Sequence, residues 1–313
     1  ADYQKAVPGL ILEHNLHGID IDLRARQIAA LALWLRAQRS YQQLGLKVAK
    51  GQRPRIQRVN VVTAEPMPGE VDLLEEFLGT LGNPVVRELV RTLWQAMRGA
   101  DEIGSLLKIE QALRAEVATA KQEWGGQPPM VQMQLFAPGQ PRPEQITIDY
   151  SFITDDQFWN TIEEQVLAEL RRFAVRAANG RAYTRRLFAG DAERGLAFID
   201  LLREPFDCVW MNPPFGAPSK GAKAYIEKQY PLTKNDLYAA FVERGLELLR
   251  PGGLLGAITS RTGFFLTSFR PWREEILIPK TEIIALADLG YGVLDTAMVE
   301  TAAYVLKKRY EAG

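Results

Sequence analysis

The stretch Phe206-Asp207-Cys208-Val209-Trp210-Met211, followed by Asn212-Pro213-Pro214-Phe215, constrains the fold of this chain most. Its apolar run, with valine and aromatic residues, reads as a strand. The two prolines carry no N–H and cannot continue a ladder, so the strand must end at Met211. A helix is expected over Asp236–Leu249, stopped by Pro251-Gly252-Gly253, and a second strand over Leu254–Thr259. Strand, helix and strand in this order form the unit from which parallel sheets are built. Upstream, residues 9–21 end in His17-Gly18-Ile19-Asp20-Ile21, a strand running into a polar turn, and Asp22 is placed to cap a helix over 23–38. Ile28, Leu31, Ala32 and Leu35 share one face of that helix. Ile56–Thr63 is a further strand, 272–280 is helical, and Ile283–Leu289 and Thr301–Lys307 read as a final pair of strands. Alternation of this kind predicts an α/β fold with a doubly wound, mostly parallel sheet.

Residues 65–180 follow a different pattern. Apolar residues recur at helical spacing (Leu73, Leu74, Phe77, Leu78; Val86, Leu89, Val90, Leu93; Leu106, Ile109, Leu113, Val117), and another helix is expected from Asp155 to Ala178. A Pro/Gly/Gln-rich stretch from Gly125 to Gln145 reads as a loop. The chain is therefore expected to divide into an N-terminal part of the core (1–64), a helical insertion (65–180) and a second part of the core (181–313).

Charge and cysteine content narrow the function classes. The single cysteine, Cys208, excludes a disulfide framework and argues against a metal cluster. No run of 18 apolar residues crosses a bilayer, and Ala1-Asp2-Tyr3-Gln4-Lys5 has no signal-peptide character, so the cytosol is the expected compartment. Formal charge is zero, from 38 basic and 38 acidic residues. Locally it is uneven: Arg36 to Arg58 holds basic residues and no acid, and Gly216 to Lys234 holds Lys220, Lys223, Lys228 and Lys234 against Glu227 alone. Such stripes can meet phosphate although the total is neutral, and Lys220 is a candidate contact.

The residue types of Asn212-Pro213-Pro214-Phe215 fit one chemistry. An exocyclic amine on an aromatic base is a poor nucleophile because its lone pair is conjugated with the ring. Two acceptors around its hydrogens favour the rehybridised amine that attacks a methyl sulfonium. The Asn212 side-chain oxygen is one acceptor, and the Pro213 carbonyl, aimed by the prolyl turn, is the other. Phe215 offers a face for a base drawn out of a duplex. His14 and His17 receive no catalytic role.

Other positions supply a binding site. Asp20, with Ile21 beside it, places a carboxylate at a strand end, where both hydroxyls of a ribose can be accepted. Asp191 and Ala192, in Phe188-Ala189-Gly190-Asp191-Ala192, are expected as a second strand-end contact, with Glu65 competing for the same position. Arg261, after the strand Leu254–Thr259, is a candidate phosphate contact. Tyr291 is a candidate wall of a base pocket.

Together, Gly18-Ile19-Asp20-Ile21-Asp22, Asn212-Pro213-Pro214-Phe215, Asn235-Asp236-Leu237-Tyr238 and Val299-Glu300-Thr301-Ala302-Ala303-Tyr304 resemble the large adenine-specific DNA methyltransferases of phage-defence (BREX-type) systems, which are similar to type IIG and type I modification subunits. The resemblance runs from Leu10 to about Lys308. It implies a class I methyltransferase fold, S-adenosylmethionine as donor, N6-methyladenine in double-stranded DNA as product, and other defence-system proteins as partners. Members of that family carry a glycine-rich cofactor loop ahead of the region that begins here. The chain, with about eleven residues before its first clear strand and no Gly-x-Gly among them, is expected to lack the first strand and to bind the cofactor weakly or not at all on its own. The same tetrapeptide also serves enzymes that methylate protein glutamine or RNA bases. A catalytically incomplete DNA-binding or assembly module, carried by the Arg36–Arg58 stripe, is the non-enzymatic reading. A nicotinamide-dependent dehydrogenase would need a Gly-x-Gly-x-x-Gly that the chain does not have.

Overall fold

A computed structural model of the chain describes residues 2–47, 51–114, 117–118, 155–175, 182–294 and 299–310; the Gly125–Gln145 stretch lies outside them. The chain divides into two compact units. One comprises Ala1–Glu65, Gly99–Leu107 and Ala197–Gly313, the other Pro66–Arg98 and Lys108–Leu196. The division between the units falls within the helix Ala182–Arg203, after Leu196. The short stretch Gly99–Leu107 also belongs to the first unit. Gly99 (φ +81°) and Gly104 (φ +58°) take left-handed conformations there, which glycine adopts without a Cβ penalty.

Among the described residues the first unit carries six strands. β1 (His17–Asp20) pairs in parallel with β2 (Asn60–Thr63), in a register that sets Asp20 opposite Thr63. The helix Leu23–Gln43 joins them. Its cap is as expected: the Asp22 side chain accepts from the Arg24 N–H at 2.8 Å. The apolar face lies open. Ile28, Leu31 and Leu35 are 69 %, 56 % and 53 % exposed, and the helix buries Ala37 and Tyr41 instead. Helical periodicity identifies an apolar face but not whether a neighbour covers it.

β3 (Phe206–Met211), β4 (Leu249–Ser260), β5 (Thr281–Gly290) and β6 (Thr301–Lys308) form a second sheet in the order β3-β4-β6-β5. β3 and β4 are parallel, with Met211 opposite Ala257. β6 runs antiparallel between β4 and β5, so three of the four strands share a direction. The α/β class and the pairing of the last two strands hold as read from the sequence.

The helix Leu237–Leu248 lies on this sheet and builds the core. Tyr238, Ala239, Val242 and Leu246 pack with Leu255 and Ala257 of β4, Tyr304 and Leu306 of β6, and Phe269, Trp272 and Ile276 from the short helices between β4 and β5. Burying an aliphatic or aromatic side chain of this kind stabilises by about 1.5–3 kcal/mol. Gly245 sets the distance of approach, since a Cβ there would stand 2.5 Å from Met211 Cε and 2.7 Å from Leu255 Cδ1.

The second unit is helical. Val71–Leu78, Pro84–Ala96, Asp155–Val175 and the first part of Ala182–Arg203 bury a cluster of rings. Trp94 stacks on Phe188 at 5.8 Å, and Phe173 meets Phe77 edge-on at 5.7 Å. Asn83 caps Pro84–Ala96 through the Val85 N–H, with proline at the first helical position where no donor is needed.

Candidate functional site

A cavity of about 440 Å³ lies in the first unit, bounded by all of β1 on one side and by Phe206 and Cys208–Met211 of β3 on the other. At the start of the two strands the rings of His17 and Phe206 meet edge-on at 5.5 Å. Burial holds the His17 imidazole below its ordinary pKa. At the other end the strands deliver Asp20 and Asn212, both of which line the cavity. Ligands of open α/β sheets bind at these carboxyl ends. The side chains of Cys208 and Trp210 line the cavity and are exposed, so the apolar run of β3 is not a buried strand.

Asp20 and Ile21 are at the cavity as the sequence predicts. Asp20 is held on both sides: its carbonyl accepts from the Ala64 N–H at 2.8 Å, and its Oδ1 accepts from the Asp22 N–H at 2.8 Å. The carboxylate is thus turned by the chain itself at the strand end. Ile21 stands against Gly104, where a Cβ would come within 3.1 Å of Ile21 Cγ2.

The tetrapeptide leaves β3 as an exposed Asn212, a buried Pro213, an exposed Pro214 and a half-buried Phe215. Asn212, Pro213 and Pro214 line the cavity. Phe215 rests edge-on against Tyr238 (6.0 Å, 88°), which is itself stacked on Phe269 at 5.3 Å. Burial raises the Tyr238 phenol above its ordinary pKa and keeps it neutral.

The other expected contacts are placed elsewhere or otherwise. Asp191 is not at a strand end. It sits within the helix Ala182–Arg203, in the second unit, where it pairs with Arg194, and Ala192 beside it is buried in that helix. Gly190-Asp191 imitates a turn, but Phe188, Ala189, Ala192, Leu196 and Ile199 are buried at helical spacing, and that packing decides the conformation. Glu65 is the second residue past β2 and is not among the residues that line the cavity. Arg261 does not present a free cation. Its Nη1 donates to Asp288 at 2.8 Å and its Nε to Glu300 at 2.8 Å, so two carboxylates neutralise it and it ties the end of β4 to β5 and β6. Tyr291 is 69 % exposed, between Gly290 and Gly292, both at positive φ. Lys220 is exposed on the first turn of the helix Lys220–Gln229, after the capping Ser219.

The sequence gives little sign of the third wall, Gly104 and Ser105. Two buried side chains anchor it. Arg244 donates to the carbonyls of Ser105 and Leu107, and Tyr230 donates to that of Leu106 at 2.7 Å. The glycines at 99 and 104 were the only local signal that the chain turns here. Among the described residues no group of three His, Cys, Asp or Glu is placed to hold a metal ion, and no helix is long and apolar enough to cross a membrane.

Comparison with known proteins identifies relatives of the chain. The adenine-specific methyltransferase BrxX of Escherichia coli O9:H4 (strain HS) is 23 % identical over 97 % of this chain and 22 % of its own length. The adenine-specific methyltransferase PglX of Lacticaseibacillus casei (strain Zhang) is 33 % identical over 33 % of this chain and 9 % of its own length. The chain thus spans about a fifth of the longer match. A Listeria monocytogenes protein described as a class I S-adenosylmethionine-dependent methyltransferase is 14 % identical, over 77 % of this chain and 87 % of that one, with a TM-score of 0.30, too low to define a common fold. The family described as Eco57I restriction-modification methylase matches residues 14–293, and the chain belongs to that family.

Proposed function

We propose that this chain is the catalytic part of an S-adenosylmethionine-dependent DNA adenine-N6 methyltransferase acting in host DNA modification and phage defence. One observation carries the reading: Asn212-Pro213-Pro214-Phe215 ends β3 at the same cavity into which β1 delivers Asp20. The family and the printed names of the relatives support the substrate class.

The residues present fit the donor in part. A cavity of this size takes a nucleoside-sized ligand. Asp20 would accept from the ribose hydroxyls, and Ile21 would supply an apolar contact beside it. When bound, the donor supplies an electrophilic methyl group on a sulfonium. The chain's residues do the rest. The Asn212 Oδ1 and the Pro213 carbonyl accept from the two N6 hydrogens of a flipped adenine, which turns the nitrogen lone pair out of conjugation and toward the methyl carbon. Phe215, fixed from behind by Tyr238, offers a stacking surface to the base. No group with a raised or lowered pKa is required as a base: the C–N bond would form as the sulfonium C–S bond breaks, its electron pair staying on a sulfur that becomes a neutral thioether, and the proton would leave N6 for solvent only afterwards. Double-stranded DNA is the partner this reading implies.

Tritiated methyl transfer to unmethylated bacterial DNA, measured with this chain and with a protein of its relatives' full length, tests the reading. Label in adenine that disappears in Asn212→Ala supports it. A full-length protein that labels no DNA overturns it and directs attention to glutamine or RNA.

A further inference from the structure

The Asn212–Phe215 turn has few ways of being held. Pro213 and Pro214 have no N–H, so the first backbone donors after Asn212 are those of Phe215 and Gly216. The Gly216 N–H donates to Asp236 Oδ1 at 2.8 Å, and in return the Leu237 N–H donates to the Gly216 carbonyl at 2.8 Å. The same Asp236 Oδ1 accepts from the Tyr238 N–H at 3.3 Å and so caps the helix Leu237–Leu248. Gly216 meets this latch at φ +102°, a conformation that residues with a Cβ rarely adopt. The latch is itself braced, since Asn235 Nδ2 donates to the Ser268 carbonyl at 3.1 Å and Thr233 Oγ1 donates to Glu243 at 2.6 Å. Two residues after Asp236, Tyr238 supports the Phe215 ring.

We infer that Asp236 is a positioning residue for methyl transfer: through Gly216 it fixes the exit of the Asn212–Phe215 turn and thereby the direction of the Asn212 and Pro213 acceptors. This rests on the proposed reaction. The carboxylate is half-buried and desolvation raises its pKa, a cost for a group whose capping alone a serine could provide. What a serine would not provide is the reach to Gly216. Acceptors in a site of this kind must be held to within about 0.5 Å, and misplacement by about 1 Å costs on the order of 100-fold in rate.

The test uses the full-length protein with three variants. Asp236→Ala removes cap and latch, Asp236→Ser keeps the cap and loses the latch, and Asp236→Asn keeps an acceptor for both. The Ala and Ser variants should lower kcat by about 100-fold, with KM for S-adenosylmethionine and for DNA within about twofold of the parent, while Asn restores most of kcat. Asp236→Ser with parental kcat, or Asp236→Asn as slow as Ala, overturns the assignment. Hydrogen exchange at the Gly216 amide separates this failure from failure of the reaction itself. If the parent protein methylates nothing, the reaction reading fails. The latch is then judged alone: Gly216 protection lost in Ser and kept in Asn supports it, and protection unchanged in Ser refutes it.

Discussion

The guanidinium of Arg244, in the helix Leu237–Leu248, donates through Nε to the Ser105 carbonyl at 2.9 Å, and its Nη2 reaches the Leu107 carbonyl at 3.2 Å. Arg244 is almost fully buried, so these are bonds that solvent cannot replace. They hold the Gly104–Ser105 wall of the cavity to the helix that packs on β3 and β4. Arg244→Ala would leave buried carbonyls without a donor, and we expect a loss of about 3 kcal/mol in urea unfolding. Arg244→Lys keeps the charge but not the planar fork, and should recover only part of that loss. Unfolding midpoints of Arg244→Ala unchanged from the parent would show that the wall does not depend on this side chain.

Asn212 is exposed, caps no helix and packs in no core cluster. Asn212→Ala should therefore change stability by about 0.5 kcal/mol or less. As an acceptor of the reacting amine it should matter far more, with kcat lowered by on the order of 100- to 1000-fold. Thermal melts beside methyl-transfer rates check both halves. A variant that unfolds, or one that keeps its rate, contradicts the role given to this side chain.

How far this could be read ahead of the structure depends on the range of the interaction. Strand β3, its proline-terminated end and the Asp22 cap are set by neighbours within a few residues and are legible; the final strands are legible too, each from its own apolar run, although they pair across 11 to 27 residues of sequence. Asp191 was misread because Gly190-Asp191 looks like a turn locally, whereas the burial of Phe188 and Leu196 that makes it helical is a packing effect. The period of the Ile28–Leu31–Leu35 face is correct, but a pattern does not say what covers it. Arg244 and Tyr230 gave no sign at all, since their partners lie more than a hundred residues away in sequence.

Arg261 yields a prediction about pH and one about DNA. The hydrogen bond from Arg261 holds the Asp288 carboxyl below the usual carboxylate range. A carboxylate whose folded pKa is depressed contributes stability that is present above its unfolded pKa and lost as pH falls through the folded one. The difference in Tm between the parent and Asp288→Asn should therefore be present at neutral pH and shrink below about pH 4. A difference that grows on acidification would refute the pair. Because its charge is neutralised by Asp288 and Glu300, Arg261→Gln should leave the salt dependence of DNA binding by the full-length protein unchanged. A log–log slope shallower by about one would restore Arg261 as a phosphate contact.

Asp20 and Asp191 can be set against each other directly, because the sequence suggests the same job for both and the structure separates them. Asp20 lines the cavity at the end of β1, while Asp191 pairs with Arg194 on a helix of the other unit. Asp20→Asn retains an acceptor for the Asp22 N–H, so the turn should survive, but it surrenders the charge that would accept from two ribose hydroxyls. We expect S-adenosylmethionine affinity in the full-length protein to fall by about 10- to 100-fold, the range for charge-assisted hydrogen bonds. Asp191→Asn removes only an exposed ion pair one helical turn long, worth about 0.5 kcal/mol or less, and should leave affinity untouched. Calorimetric titration of both variants decides the matter. If Asp191→Asn weakens binding and Asp20→Asn does not, the cofactor is not held at the end of β1, and the cavity between β1 and β3 must serve another ligand.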